Sequence, residues 1–121
     1  MENLKELVEL VKRCRTHCPW CSTQTTEGFL EHVISEVKEL GEAIKSKDRD
    51  AISGELGDLL WVTIMLVHIA DHEGLSAESV IREVNAKMRR RKPYIVTGEK
   101  VSLDKAMEIW NAAKKGEKAG K

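Results

Sequence analysis

Several things are scarce in this 121-residue sequence, and each scarcity excludes something. Cysteine occurs three times, at Cys14, Cys18 and Cys21. An odd, closely spaced set argues against a disulfide framework and for a reducing compartment. Aromatic residues make up only 4% of the chain, so the stacking platforms that single-stranded nucleic-acid binders use are missing, and nucleic acid is not an expected partner. The two prolines, Pro19 and Pro93, leave long stretches free of helix breakers. Charge of one sign is not in excess: 20 basic residues balance 20 acidic ones, so net charge identifies no partner. The longest apolar run, Leu59 to Val67, is interrupted by Thr63 and is too short to span a bilayer; it reads as a buried helix segment. Met1 to Cys14 mixes charged and apolar residues and does not form a leader-like apolar segment. A cytoplasmic protein with no membrane association is the expectation.

What is present is helical periodicity. Leu4, Leu7, Val8 and Val11 recur at the spacing of one helix face. That helix stops before Cys18-Pro19, because the residue preceding proline avoids helical angles. Cys18 to Thr25 reads as a loop, with Thr25 or Thr26 as the cap of a second helix. The second helix carries Phe29, Leu30, Val33, Val37, Leu40 and Ile44 and ends near Ser46. Asp48 or Asp50 caps a third, through Leu56, Leu59, Val62, Leu66 and Ile69, with Gly74 at its end. Ser76 opens a fourth, which Lys92-Pro93 closes. Tyr94 to Lys100 is a predicted loop, and Ser102 caps a last helix through Leu103, Ala106, Ile109 and Trp110. The expected fold is all-α: a four-helix-type bundle core with an additional terminal helix. Residues 1–116 form one domain in this reading, and 117–121 a frayed tail.

Two carboxylate pairs stand out. The second helix contains Glu36 and Glu39, the third Glu55 and Asp58, and residues three apart are neighbours on a helix surface. At about 100° per residue, Glu36 falls among Phe29, Leu40 and Ala43, and Glu55 lines up with Leu59, Val62 and Leu66. Glu39 and Asp58 sit at the edges of those apolar stripes. The short link between the two helices makes them antiparallel neighbours, so the four carboxylates converge. Unpaired anions near a core repel each other and resist desolvation. A hard divalent cation relieves both penalties, and magnesium, which prefers oxygen ligands and keeps waters for phosphate, fits best. Ordinary solvated helix acids are the competing reading of each pair taken alone.

The charges are segregated. Glu27 to Asp58 leans acidic, whereas Arg82 to Lys92 is basic and crowds Lys87, Arg89, Arg90, Arg91 and Lys92 at a helix end. Cations suit that end of the helix dipole and also provide forked donors for phosphate. Cys14, Cys18 and Cys21 have the spacing of an iron–sulfur triad, but this chain is too short and too helical for the barrel that such triads serve. Small buried thiols are one reading, and a zinc site completed by His17 or His32 is the other. His68 and His72, four apart, point away from Glu55 and read as surface or interface residues.

The same residues resemble a known family, the MazG-type nucleoside triphosphate pyrophosphohydrolases of the all-α NTP pyrophosphohydrolase superfamily. The likeness runs from about Leu7 to Lys118. Cys18-Pro19-Trp20 followed by Gln24-Thr25 is similar to the family's C-P-W-D-x-x-Q-T loop. Ser35-Glu36-Val37-Lys38-Glu39 stands where the family has E-E-x-x-E, and Glu55-Leu56-Gly57-Asp58-Leu59-Leu60 matches E-L-G-D-L-L. Asn85-Ala86-Lys87-Met88 with Arg90-Arg91-Lys92-Pro93 resembles N-x-K-[LM]-x-R-R-H-P, and Trp110 matches a tryptophan near the family's C-terminus. The chain departs from the pattern at Cys21, Thr26, Ser35 and Lys92. The resemblance implies hydrolysis of nucleoside triphosphates to monophosphate and pyrophosphate, with a role in cleansing the nucleotide pool. It implies magnesium, or manganese in its place, on Glu36, Glu39, Glu55 and Asp58. Glu39, with Glu36, is the expected catalytic carboxylate, and Lys87, Arg90, Arg91 and Trp20 are the expected substrate-binding residues. It also implies a homodimer or homotetramer, in keeping with the nearly all-round apolar third helix and its Trp61, Ile64 and Met65. A catalytically weak nucleotide-binding protein and a zinc-stabilised interaction module are the alternatives.

Overall fold

Side-chain caps set the starts of three helices. In the computed structural model, which describes residues 2–120, the chain is all-α. Helix α1 spans Glu2–His17 and is followed by a 3-10 turn, Cys21–Thr23. Then come α2 (Thr26–Ser46), α3 (Arg49–His72), α4 (Ala77–Arg91), α5 (Tyr94–Thr97) and α6 (Leu103–Ala119). Thr25 caps α2 by accepting the Gly28 N–H at 3.1 Å. Asp48 caps α3 by accepting from Asp50 and Ala51 at 3.0 and 3.3 Å, and Ser102 caps α6 through Lys105. Each satisfies a donor that the helix start leaves without a partner.

The chain forms two compact units, Met1–Ala77 and Glu78–Lys121. In the first, α3 packs against both α2 and α1. Its core is Val11 from α1, Cys21 from the turn, Phe29 from α2, and Val62, Met65 and Ile69 from α3. Lys47 and Asp48 alone join α2 to α3. Lys47 adopts the left-handed conformation, φ 62°, which lets the chain reverse and sends its N–H back to the Ile44 carbonyl. Two polar ties close the other end. The N–H and hydroxyl of Thr26 donate to Glu73 at 3.0 and 2.7 Å. The buried Arg15 donates from Nε to His72 Nδ1 at 2.9 Å and from Nη1 to the Cys21 carbonyl, which satisfies a charge that would otherwise be costly to bury.

In the second unit, none of the described residues of α4, α5 or α6 is fully buried. Its principal tie is electrostatic. Glu117 accepts from Arg91 at 2.7 Å and from Arg90 at 2.8 Å, and these two cations hold its carboxyl down to about 2. The Arg91 guanidinium also lies 4.8 Å from the centre of the Trp110 ring.

Three expectations change. Tyr94 to Lys100 was expected as a loop, but Tyr94–Thr97 forms one helical turn, closed by Gly98 in the left-handed region at φ 79°. Helix α6 continues through Gly116 as far as Ala119. The apolar run Leu59 to Val67 is embedded in the 24-residue α3, which by length and composition alone is long and apolar enough to cross a membrane. The apolar run underestimated the helix because single polar residues do not end it. Here α3 carries Glu55 and Asp58 and packs on α1 and α2.

The α2–α3 connection generates a prediction. Asp48→Ala removes two cap bonds and should lower stability by about 1 kcal/mol. Lys47→Gly removes a left-handed strain of about 1–2 kcal/mol at an entropic cost of about 0.5–1 kcal/mol, so it should raise stability slightly. Urea denaturation of both variants measures the two signs; a neutral Asp48→Ala would contradict the capping role.

Candidate metal centre

The apolar stripes of α2 and α3 face each other, and the acids interrupt both. Phe29 and Ala43 on α2 are buried, as is Val62 on α3, while Leu59 and Leu66 pack against the core. Glu36 and Glu55 therefore enter the α2–α3 interface, as their angular positions predict. Glu36, Glu39 and Glu55 each present one carboxylate oxygen, and these three atoms lie within 4.8 Å of one another. Asp58 is not in that group, but its charge is felt by both Glu36 and Glu55.

The electrostatics are unfavourable for the bare protein. Oε2 of Glu36 and Oε2 of Glu55 are both buried with no hydrogen-bond partner. Among the described residues, no lysine or arginine forms an ion pair with Glu36, Glu39 or Glu55; His32 Nε2 lies 3.9 Å from Glu36 Oε1. Burial, then the charge of Glu39, raises the pKa of Glu36 above the ordinary carboxylate range, and His32 opposes this only in part. Burial, then Glu39 and Asp58, does the same for Glu55. Three carboxylates that each bring one oxygen within 4.8 Å of the others, two of them also holding a buried oxygen without a donor, fit a hard divalent cation.

An aromatic cluster adjoins these acids. The rings of Trp20, Phe29 and His32 meet pairwise, with centroids 5.3 to 5.9 Å apart. Trp20 remains 51% exposed. His32 links this cluster to Glu36, a role that sequence reasoning missed. The residue lies one helical turn before Glu36, which was the available signal, but its contact with Trp20 depends on how the loop folds. His72 is occupied as the acceptor for Arg15, and His68 is half-buried beside Lys12 and Asp71. Neither joins the acids.

Lys87, Arg90 and Arg91 belong to the second unit. Lys87 is exposed, Arg90 is half-exposed, and Arg91 is largely covered, with both arginines held by Glu117. Glu117 as their partner was not anticipated, because an acid in a tail read as frayed carries no sign of a distant contact.

Comparison with known proteins shows what the chain as a whole is similar to. The sequence model of the MazG nucleotide pyrophosphohydrolase domain matches residues 24–96. A nucleoside triphosphate pyrophosphohydrolase of Mycobacterium tuberculosis is 33% identical over 99% of this chain and 38% of its own length. The nucleoside triphosphate pyrophosphohydrolase/pyrophosphatase MazG of Thermotoga maritima is 35% identical over 94% of this chain and 46% of its own. The chain thus spans less than half of each of these relatives. The crystal structure of a mazG-related protein from Thermotoga maritima superposes with a TM-score of 0.85 at 35% identity, covering 92% of this chain and 98% of that one. The likeness bears out the expected all-α, helical-bundle architecture.

The raised carboxyls have a measurable consequence. Folded chains hold protons on Glu36 and Glu55 to higher pH than unfolded chains do. Without divalent cations, their contribution to stability therefore falls as pH rises from the usual carboxylate range through their raised values. Glu73 and Glu117, whose values are lowered, act in the opposite sense, so the comparison must be with Glu36→Gln/Glu55→Gln. The double variant should lose this fall, and magnesium should raise the melting temperature of the wild type alone. Identical pH profiles would contradict the assigned electrostatics.

Proposed function

The chain belongs to the MazG nucleotide pyrophosphohydrolase family, and from that premise we propose that it is a magnesium-dependent hydrolase of nucleoside triphosphates. Its products are the monophosphate and pyrophosphate, and manganese can replace magnesium. One observation carries the reading: carboxylates from two facing helices converge within 4.8 Å, and two of their oxygens are buried without partners. Glu36, Glu39 and Glu55 would hold the cation, with Asp58 beside them. The cation, when bound, supplies positive charge for phosphate oxygens and lowers the pKa of a coordinated water.

The remaining work falls to the chain itself. Glu39 is exposed at the edge of the cluster and free of the burial that constrains Glu36 and Glu55, so its carboxylate is best placed to accept the proton of the attacking water. Glu36, which brings an oxygen within 4.8 Å of one of Glu39's, would orient it. Trp20 offers an aromatic face for the base, steadied by His32 and Phe29. For Lys87, Arg90 and Arg91 the proposal is phosphate binding, resting on their charge and forked donors. Removing non-canonical nucleotides from the pool is the cellular role that suits such an activity.

A homodimer or homotetramer completes the proposal, with a correction to the residues that support it. Met65 is fully buried in the core, and Trp61 and Ile64 pack against it, so they are not the free surface. Leu30, Ile34, Val37 and Ile44 on α2, with Leu56 and Leu60 on α3, are each about half exposed, an apolar area of the kind that subunit contacts cover. Leu56→Asp/Leu60→Asp should shift light scattering toward the monomer mass; an unchanged mass would remove α3 from the interface.

The activity is tested by pyrophosphate release from a panel of canonical and modified triphosphates. Magnesium-dependent turnover should fall by at least about a hundredfold in Glu55→Ala and in Glu39→Gln. If folded wild-type protein binds nucleotide but releases no pyrophosphate from any triphosphate, the protein is a binding protein instead.

A further inference from the structure

A second constellation of metal-binding atoms lies outside the carboxylate site. The sulfurs of Cys14, on α1, and of Cys18 and Cys21, in the following loop, lie within 4.8 Å of one another, with Cys14 and Cys21 3.3 Å apart. All three are free thiols. From this geometry we propose that Cys14, Cys18 and Cys21 bind a single soft divalent cation, zinc, as a three-thiolate clasp on the loop that carries Trp20.

The spacing suits one ion. Zinc–sulfur bonds of about 2.3 Å in a tetrahedron place sulfurs about 3.8 Å apart, so the observed cluster needs little movement to close on a metal. An iron–sulfur cluster fits less well, because each thiolate then binds a different iron and the sulfurs must spread. The loop is already shaped for metal. The backbone amides of Cys21 and Trp20 favour the thiolate of Cys18, the form that binds metal. The Cys18 N–H bonds the Cys14 carbonyl and the Ser22 N–H bonds the Cys18 carbonyl, each at 2.9 Å, which ties the loop to the end of α1. Charge is compensated as well. Three thiolates and one zinc carry one net negative charge, and the Arg15 guanidinium donates to the Cys21 carbonyl beside them.

The fourth ligand differs from the sequence expectation. Neither His17 nor His32 lies within the sulfur group. His17 Nδ1 is 3.0 Å from the Arg13 carbonyl, and His32 stacks on Trp20 and Phe29. Solvent therefore completes the tetrahedron. Binding releases the thiol protons to solvent and fixes the stretch between Cys18 and Cys21 that includes Trp20. Thiolates prefer zinc and carboxylates prefer magnesium, so the two sites sort their metals by softness.

The test is titration of the reduced, chelator-stripped full chain with cobalt(II), then zinc. One cobalt per chain should bind with thiolate-to-cobalt charge-transfer absorption and the intense visible bands of a tetrahedral site. One equivalent of zinc should displace it and raise the melting temperature. The absorption should vanish in Cys14→Ser and Cys18→Ser and persist in Glu36→Gln/Glu55→Gln, which separates this site from the carboxylates whether or not the hydrolase activity holds. Absence of charge-transfer bands in folded, reduced wild type overturns the proposal, even if the serine variants fail to fold. So does a signal that survives in folded Cys18→Ser, or an iron–sulfur chromophore in protein purified without oxygen.

Discussion

Two carboxylates buried between α2 and α3 without donors impose the constraint around which the first unit is organised. Left alone, Glu36 and Glu55 would separate the helices or swing into solvent. They stay because the surrounding packing leaves no alternative. Phe29 and Ala43 anchor α2, while Val62, Met65 and Ile69 anchor α3. The two-residue link with its left-handed Lys47 closes one end of the pair, and the Thr26–Glu73 tie closes the other. Apolar burial thus holds an arrangement that electrostatics opposes, and the opposition is what gives a cation its differential affinity for the folded chain.

The loop after α1 serves two ends at once. It buries Cys21 in the core and projects Trp20 outward, so the aromatic face is held from beneath by the same packing that stabilises the fold. Arg15 reaches the loop from α1 and His72 at the end of α3, linking the elements that frame it. Through His32, the cluster containing Trp20 approaches Glu36. The loop's position and the acid site's surroundings therefore depend on each other.

The second unit relies on a different physics. With no fully buried side chain among the described residues of its helices, it rests on Glu117 between two arginines and on cations over Trp110. Such contacts weaken with salt far more than a packed core does. Arg90 and Arg91 are also members of the motif on which the family resemblance rests, so Glu117 both orders these side chains and competes for their charge.

The sequence by itself determined the five long helices, where most of them start, and which acids fall among apolar neighbours. Ser102 is legible as a cap, and Thr25 and Asp48 as one of two neighbouring candidates each, because the requirement is local, one side-chain oxygen within three residues of a bare N–H. Glu36 and Glu55 are legible because helical periodicity alone puts them among apolar neighbours. What crosses between elements was not legible. Periodicity says which face a residue takes but not what it meets there, so His32 against Trp20, Glu117 against Arg90 and Arg91, and Met65 in the core rather than on a free surface emerged only with packing. The turn at Tyr94–Thr97 escaped notice because four residues are too few to show a period. Tertiary structure also decided which of the four acids meet: Glu36, Glu39 and Glu55 share one oxygen cluster, and Asp58 acts from beside it. The physical reason is that convergence depends on the register between two helices, and that register is set by core packing together with the link and the polar tie that close the pair, which no single segment encodes.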